Sequence, residues 1–219
     1  MTFEGFPDDG LVFYEGLEAD NSKTYWTRHK KVYDEHVKAP LLAMLEELAP
    51  EFGTGKVFRP YRDVRFSNDK TPYKTHQGAV VHPDGACGAW YVQVSADGLR
   101  VAGGCWRLES DQIARYRRAV ADDVQGPRLQ TEVDRLAAAG WSIQGERLVR
   151  VPAGHDAEAP RLDLLKHKSL YAGRGWEPAE WLHTRRALEE VRTAWRDLVS
   201  LTAWLAANVG ATSKEVRRR

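Results

Sequence analysis

Apolar positions over the first fifty residues recur at steps of three and four. Leu11, Phe13, Tyr14 and Leu17 follow Asp8-Asp9-Gly10, and this spacing predicts a short capped helix. Asn21-Ser22 supplies a second start signal. Tyr25, Trp26, His29, Val32, Tyr33, His36 and Val37 then share one helical face. Pro40 marks a kink or a fresh start, after which Leu41, Leu42, Leu45 and Leu48 carry the face to Pro50. At Lys56 the period changes. Val57-Phe58-Arg59 and residues 78–82 read as strands, residues 62–78 have no period and read as an ordered loop, and Pro83-Asp84-Gly85 reads as a turn. Residues 88–96 and 99–107 alternate with period two about Asp97-Gly98, a dipeptide suited to a two-residue hairpin turn. That turn pairs Ala96 with Leu99, Val94 with Val101, Val92 with Gly103 and Trp90 with Cys105 on a helix-facing side. The opposite side carries Tyr91, Gln93, Gly104 and Trp106 beside Ala89 and Ala102. Rings next to small residues either floor a groove or pack beneath a second layer of helix.

Helical periodicity returns at Ser110, which is expected to cap a helix to about Asp123. Gly126-Pro127 opens another, stopped by Gly140. Residues 141–144 and 147–151 suggest a small hairpin around Gly145-Glu146, residues 152–161 a loop, and Lys168–Tyr171 a strand. From Pro178 onward Trp181, Leu188, Val191, Trp195, Leu198, Leu205 and Val209 keep one seam, predicting a single long helix closed by Gly210. The pattern as a whole predicts a single α+β domain over residues 1–210. It has an antiparallel-dominated central sheet packed by N-terminal helices and the long C-terminal helix, with a basic, frayed tail at 211–219.

Composition narrows the classes. Lys and Arg total 32 against 31 Asp and Glu in 219 residues, a net charge of +1, which disfavours a generally basic nucleic-acid binder. No apolar run is long enough for a membrane span, no basic-then-apolar leader opens the chain, and two cysteines make no disulfide framework. A cytoplasmic protein is the expectation. The usual catalytic signatures are absent: no glycine-rich dinucleotide fingerprint, no phosphate loop, no nucleophile elbow, no HExxH. His29 and His36 stand two helical turns apart, and no Cys-His spacing supports zinc, so no metal site is expected.

The chemically dense stretch is 62–76. It holds Arg62, Asp63, Arg65, Ser67, Asp69, Lys70, Thr71, Tyr73, Lys74 and His76, with Arg59 and Tyr61 just before it. Phe66, Pro72 and Tyr73 would pin the segment to the core and partly bury its cations, which is costly unless they are paired. Asp63 and Asp69 can pair two of Arg62, Arg65, Lys70 and Lys74. The surplus invites a phosphate, a carboxylate or a nucleic-acid backbone, and the alternative is a salt-bridged strut. Lys166 and Lys168 form a second basic cluster, which makes one cationic pocket with the first if the two segments pair.

Arg62 to Thr75 resembles the signature of the domain of unknown function 2461 family, a family of conserved hypothetical proteins. Asn21 with Trp26 and Tyr33, Gly88 to Val94, Gly103-Gly104, Arg150-Val151-Pro152 with Gly154, and Asp163 to Lys168 are similar to its other motifs. Asn68 stands where the family more often has a basic residue, and Leu108 where a Pro is expected. The resemblance spans roughly residues 3–205. It implies an α+β protein and weight on 62–75 and 166–168, and it implies no reaction.

The leading expectation is therefore a small anionic ligand held by Arg62, Arg65, Lys70, Lys74, Lys166 and Lys168. Asp63 and Asp69 orient the cations, Ser67 supports them, and Tyr73 and Trp106 wall the ligand. The chain would then be a binding protein or an enzyme without an identified nucleophile. Two other readings stand beside it: a single-strand nucleic-acid module using cations interleaved with Phe66, Tyr73 and Trp106, and a scaffold in which 62–75 is structural. Neither cofactor nor oligomeric state is legible.

Overall fold

The computed structural model describes residues 2–65, 68–83 and 87–214. Among the described residues helix exceeds strand, 47% to 18%, so the α+β class predicted from the pattern holds. The chain opens with helices α1 (Asp8–Ala19) and α2 (Lys23–Val32), a π-helical turn over Tyr33–Lys38, and α3 (Ala39–Phe52). Strands β1 (Gly55–Val57), β2 (His76–Val81), β3 (Ala89–Ser95) and β4 (Gly98–Cys105) follow, then α4 (Ser110–Ala121), α5 (Gln125–Ala138) and β5 (Ser142–Gln144). A short α6 (Leu162–Leu165), β6 (Leu170–Trp176), a 3-10 turn over Glu180–His183, α7 (Arg186–Asp197) and α8 (Val199–Asn208) complete it. The antiparallel sheet has six strands in the order β1-β2-β3-β4-β6-β5.

The chain groups into two compact units, each assembled from separated stretches: 1–81 with 91–101 and 175–194, and 82–90 with 102–174 and 195–219. In the first unit Phe3, Phe6, Phe13, Tyr14 and Leu17 lie buried with Leu41, Met44 and Leu48 of α3. Glu47 fixes the N-terminal segment there, accepting from the Phe3 amide at 2.7 Å and pairing with Arg185, whose guanidinium also reaches the Phe3 carbonyl. In the second unit Tyr116, Leu129, Leu136, Leu165, Trp195, Leu201 and Leu205 are buried. The polar tips of its rings are satisfied: the Tyr116 hydroxyl donates to the Leu164 carbonyl at 3.0 Å, and Trp204 Nε1 to the Gln125 carbonyl at 3.0 Å.

Several local expectations are corrected. The hairpin turn sits at Ala96-Asp97, one residue earlier than Asp97-Gly98, so β4 begins at Gly98. Gly103 rather than Cys105 stands beside Trp90: a Cβ built on Gly103 would lie 3.2 Å from the indole ring. The pairing slips by two residues and the faces survive, because the side-chain period is two. Trp90, Val92, Val94, Val101 and Cys105 are all buried. Gly98 takes φ +101°, and a Cβ there would meet the Trp176 carbonyl at 2.2 Å, which is why glycine opens the strand instead of closing the turn.

The C-terminal helix is not one piece. The seam is buried as expected at Leu188, Val191, Trp195, Leu198, Leu205 and Val209, but the helix breaks at Leu198. Arg135 is the cause. Its guanidinium captures the Asp197 carbonyl at 2.7 Å and the Asp197 carboxylate at 2.7 Å, taking an acceptor that a continuous helix would have used. Trp141 Nε1 donates to the same carboxylate at 2.6 Å. α4 is capped by Glu109 in a capping box with Gln112, not by Ser110. β5 pairs with β6, Ser142 opposite Gly173, and the expected hairpin with 147–151 does not form. Asp84 and Gly85 of the turn placed on Pro83-Asp84-Gly85, and residues 215–219 of the basic tail, lie outside the described residues.

Candidate functional site

The basic loop belongs to the first unit, where it forms an irregular hairpin anchored at both ends. At its mouth the Phe58 amide donates to the Gly78 carbonyl at 3.0 Å. Buried Gln77 donates to the Phe58 carbonyl at 2.8 Å and accepts from the Tyr33 hydroxyl at 2.7 Å. Further along, the Arg62 amide donates to the Pro72 carbonyl and the Lys74 amide to the Pro60 carbonyl, with Tyr61 bridged to Tyr73. The turn preceding α2 supplies the clamp. Asn21 Nδ2 donates to the Tyr73 carbonyl at 3.1 Å and Asn21 Oδ1 accepts from the Tyr73 amide at 3.0 Å. Trp26 stacks on the Tyr73 ring at 4.4 Å and 7°. Asn21 is free for this because Ser22 caps α2, accepting from the Tyr25 amide. The side chain pinning the loop is therefore Tyr73, 5% exposed. Pro72, expected to share that task, lies exposed, and Phe66 and Ser67 lie outside the described residues.

Most of the predicted cations have partners within the loop. Arg62 pairs with Asp69 and donates to Thr71 Oγ1 at 2.7 Å. Arg65 grips Asp63 with two donors, Nε at 2.9 Å and a terminal nitrogen at 2.7 Å, which holds the Asp63 carboxyl down to about 2. This pair is not the partly buried one expected, since the Arg65 side chain is 74% exposed. Lys70 donates to the Val64 carbonyl at 3.0 Å. Asp69 is lowered by the Thr71 amide and hydroxyl, then by Arg62.

Two cations differ. Lys74 lies 5.3 Å above the Phe58 ring and Arg59 stands near it, and neither has a carboxylate in ion-pair range among the described residues. Burial, then the Arg59 charge, push the Lys74 ammonium down. Beside them His76 is pushed down by burial, then by Lys74 and Arg62. Five cations, Arg59, Arg62, Arg65, Lys70 and Lys74, share the segment with two acids, Asp63 and Asp69; two of them form ion pairs, Lys70 takes a backbone carbonyl, and Arg59 and Lys74 are left beside His76. Sequence reasoning set Arg59 outside the site and gave His76 no role. The signal available for both was their place at the two feet of the loop, where the chain must converge.

The second basic cluster lies in the second unit. Lys168 pairs with Glu146, and its amide donates to the Glu146 carbonyl at 2.7 Å. The neighbouring Arg147 pairs with Asp163 at 2.8 Å. Lys166 is half-buried, and its carbonyl accepts from the Leu148 amide at 2.8 Å. Trp106, expected to wall a ligand, stacks on Tyr171 at 5.3 Å in this unit. Among the described residues no group of three or more His, Cys, Asp or Glu is placed to hold a metal ion, and no helix is long and apolar enough to cross a membrane.

Fold and loop together define an α+β protein whose most distinctive surface element is a basic hairpin locked to an N-terminal helix by asparagine and tryptophan. The chain belongs to the family of conserved hypothetical proteins designated DUF2461, whose model matches residues 9–204. No curated protein and no solved structure matches it.

Proposed function

We propose that the chain binds a small phosphate- or carboxylate-bearing molecule at the feet of the basic loop. Arg59 and Lys74 supply the charge, His76 adds a proton-dependent contact, and Arg62 lies at the margin. The observation that carries this reading is the pairing pattern among the described residues: Arg62 and Arg65 pair with acids and Lys70 donates to the Val64 carbonyl, whereas the Arg59 guanidinium, which acts on Asp63 only through space, and the Lys74 ammonium have neither an ion pair nor a hydrogen-bond acceptor. Holding like charges together on a clamped segment costs free energy, and an anion would recover it. Arg65 and Lys70 then shape the loop instead of meeting the ligand. Ser67 and the lysines of the second unit are not needed for this core.

Thermal unfolding at low ionic strength tests the proposal, with sulfate compared against chloride at equal ionic strength. Wild type is expected to gain stability as sulfate rises, following the mass-action law for a ligand that binds only the folded state, about 2.7 kcal/mol at a hundredfold excess over Kd. Lys74→Met should remove most of that gain and leave stability in chloride unchanged or slightly raised. A wild type that responds equally to both salts would leave the loop as a structural strut.

A further inference from the structure

The feet of the basic loop carry exposed rings as well as cations. Among the described residues Phe58, Tyr61 and Trp106 are the phenylalanine, tyrosine and tryptophan side chains left exposed. Trp106 lies in the second unit against Tyr171. The other two stand on either side of Arg59 in the stretch Phe58-Arg59-Pro60-Tyr61. A single exposed ring needs no explanation. Two of them flanking a cation that has no ion pair among the described residues point to a ligand with a flat apolar part as well as a charge.

The two rings are held differently. Phe58 is already met by the Lys74 ammonium at 5.3 Å and by the Tyr91 ring at 6.3 Å. Tyr61 is the more exposed, 48% against 37%, and it is seated on the clamp. Its backbone is bridged to Tyr73, and its ring centroid lies 5.5 Å from that of Tyr73 and 6.1 Å from that of Trp26. Asn21 grips the Tyr73 backbone through both amide and carbonyl. A ring fixed in this way loses little freedom when a ligand stacks on it. Tyr73, expected to wall the ligand, is buried, and the ring presented outward is that of its bridge partner. The cations stand close by. Arg59 is two positions away, so its Cα lies at most about 7 Å from that of Tyr61. The Lys74 amide donates at 2.8 Å to the carbonyl of Pro60, the residue between them.

We propose that the ligand of this site is a nucleoside monophosphate, its base stacked on Tyr61 and its phosphate held by Arg59 and Lys74. This rests on the reading of Arg59 and Lys74 as an anion site and adds the ring to it. Two cations suit a dianion better than a single carboxylate, and a phosphate monoester carries about −1.5 to −2 at neutral pH. The ring supplies what inorganic phosphate cannot use. Stacking is tolerant because every base has a flat π face, so the site selects nucleotides as a class and not one base.

Isothermal titration calorimetry on the full chain at low ionic strength tests this with adenosine monophosphate and ribose 5-phosphate, which carry the same phosphate and differ by the base. Wild type is expected to bind the nucleotide about tenfold or more tightly than the sugar phosphate. Tyr61→Phe should keep that preference. Tyr61→Leu, which leaves an apolar side chain against Trp26, should bring the nucleotide down to the level of ribose 5-phosphate and leave stabilisation by sulfate intact. Lys74→Met should weaken both phosphates. If Tyr61→Leu disturbs the fold, judged by circular dichroism, the wild-type comparison of the two phosphates decides. Equal wild-type affinities, or a preference that survives in folded Tyr61→Leu, would overturn the stacking role, and a retained sulfate response would still leave the anion site standing. If neither phosphate binds and sulfate does not stabilise, the reading beneath it falls as well. A short oligothymidylate bound about a hundredfold more tightly than the nucleotide would also overturn the proposal, because the surface would then serve a strand.

Discussion

Two basic segments of this chain look alike in sequence and differ in how their charges are met. In the second unit Lys168 pairs with Glu146 and Arg147 with Asp163 of α6, while Lys166 has no ion pair among the described residues. In the first unit the loop between Phe58 and His76 pairs Arg62 and Arg65 with acids, but among the described residues Arg59 and Lys74 at its feet have no ion pair, and His76 is held below its ordinary range beside them. The comparison teaches that a run of Lys and Arg carries little functional information by itself. What separates a solvated salt-bridged segment from a candidate binding site is a cation that the fold holds in place and leaves unneutralised.

If that contrast is right, rigidity should be concentrated where the loop is clamped. Trp26→Ala, which removes a buried ring stacked on Tyr73, is expected to cost about 3–5 kcal/mol in urea unfolding. A loss under about 1 kcal/mol would mean that the loop is not anchored by this stack. Asn21→Ala leaves the Tyr73 amide and carbonyl without their side-chain partner, an expected cost of about 1–3 kcal/mol. Sulfate-dependent stabilisation should weaken in parallel. Lys168→Met should change stability by less than about 1 kcal/mol and leave the sulfate response intact, since it keeps the half-buried stem and its lost partner Glu146 is 66% exposed. If this substitution abolished the response, the two segments would share one function and the contrast would fail.

The smallest expected effect is spectroscopic. Asp63 titrates near 2 in the folded chain because Arg65 grips it, against about 3.9 for an unperturbed Asp. Its contribution is present above the unfolded value and is lost as pH falls from about 3.9 towards about 2. In Arg65→Met the Asp63 carboxyl should move back up, as seen by carboxyl NMR, with no change in the sulfate response. An unmoved Asp63 would show that Arg65 is not its main partner.

Much of the fold was legible because its signals are local. Period-two alternation gave the faces of β3 and β4 even with the turn misplaced by one residue, since a slip of two preserves the faces. The apolar seam from Leu188 to Val209 was legible, but its break was not. Arg135 is 62 residues from Asp197, and no pattern within either helix reveals that one takes the other's carbonyl. The site was legible in composition and not in its centre. Asn21 next to Ser22 reads as one cap signal. Only the folded chain separates the residue that caps from the residue that grips Tyr73, 52 positions away. Arg59 and His76 stood at the edge of the charged run, and their importance comes from the hairpin that closes its two ends.

The most direct test uses two histidines as reporters in one sample. His76 and His167 are both pushed down by burial, and they sit in the two contrasted regions. Because a depressed histidine favours the neutral form in the folded chain, each costs stability as pH falls below its unfolded value of about 6.5. Sulfate is a dianion throughout this range, so an ion seated against Arg59 and Lys74 should favour protonated His76. Imidazole titrations by NMR, in chloride and in sulfate at equal ionic strength, should show the His76 pKa rising in sulfate while His167 stays unchanged. If His76 is indifferent to sulfate, or both histidines move together, the cations at the feet of the loop do not form an anion site.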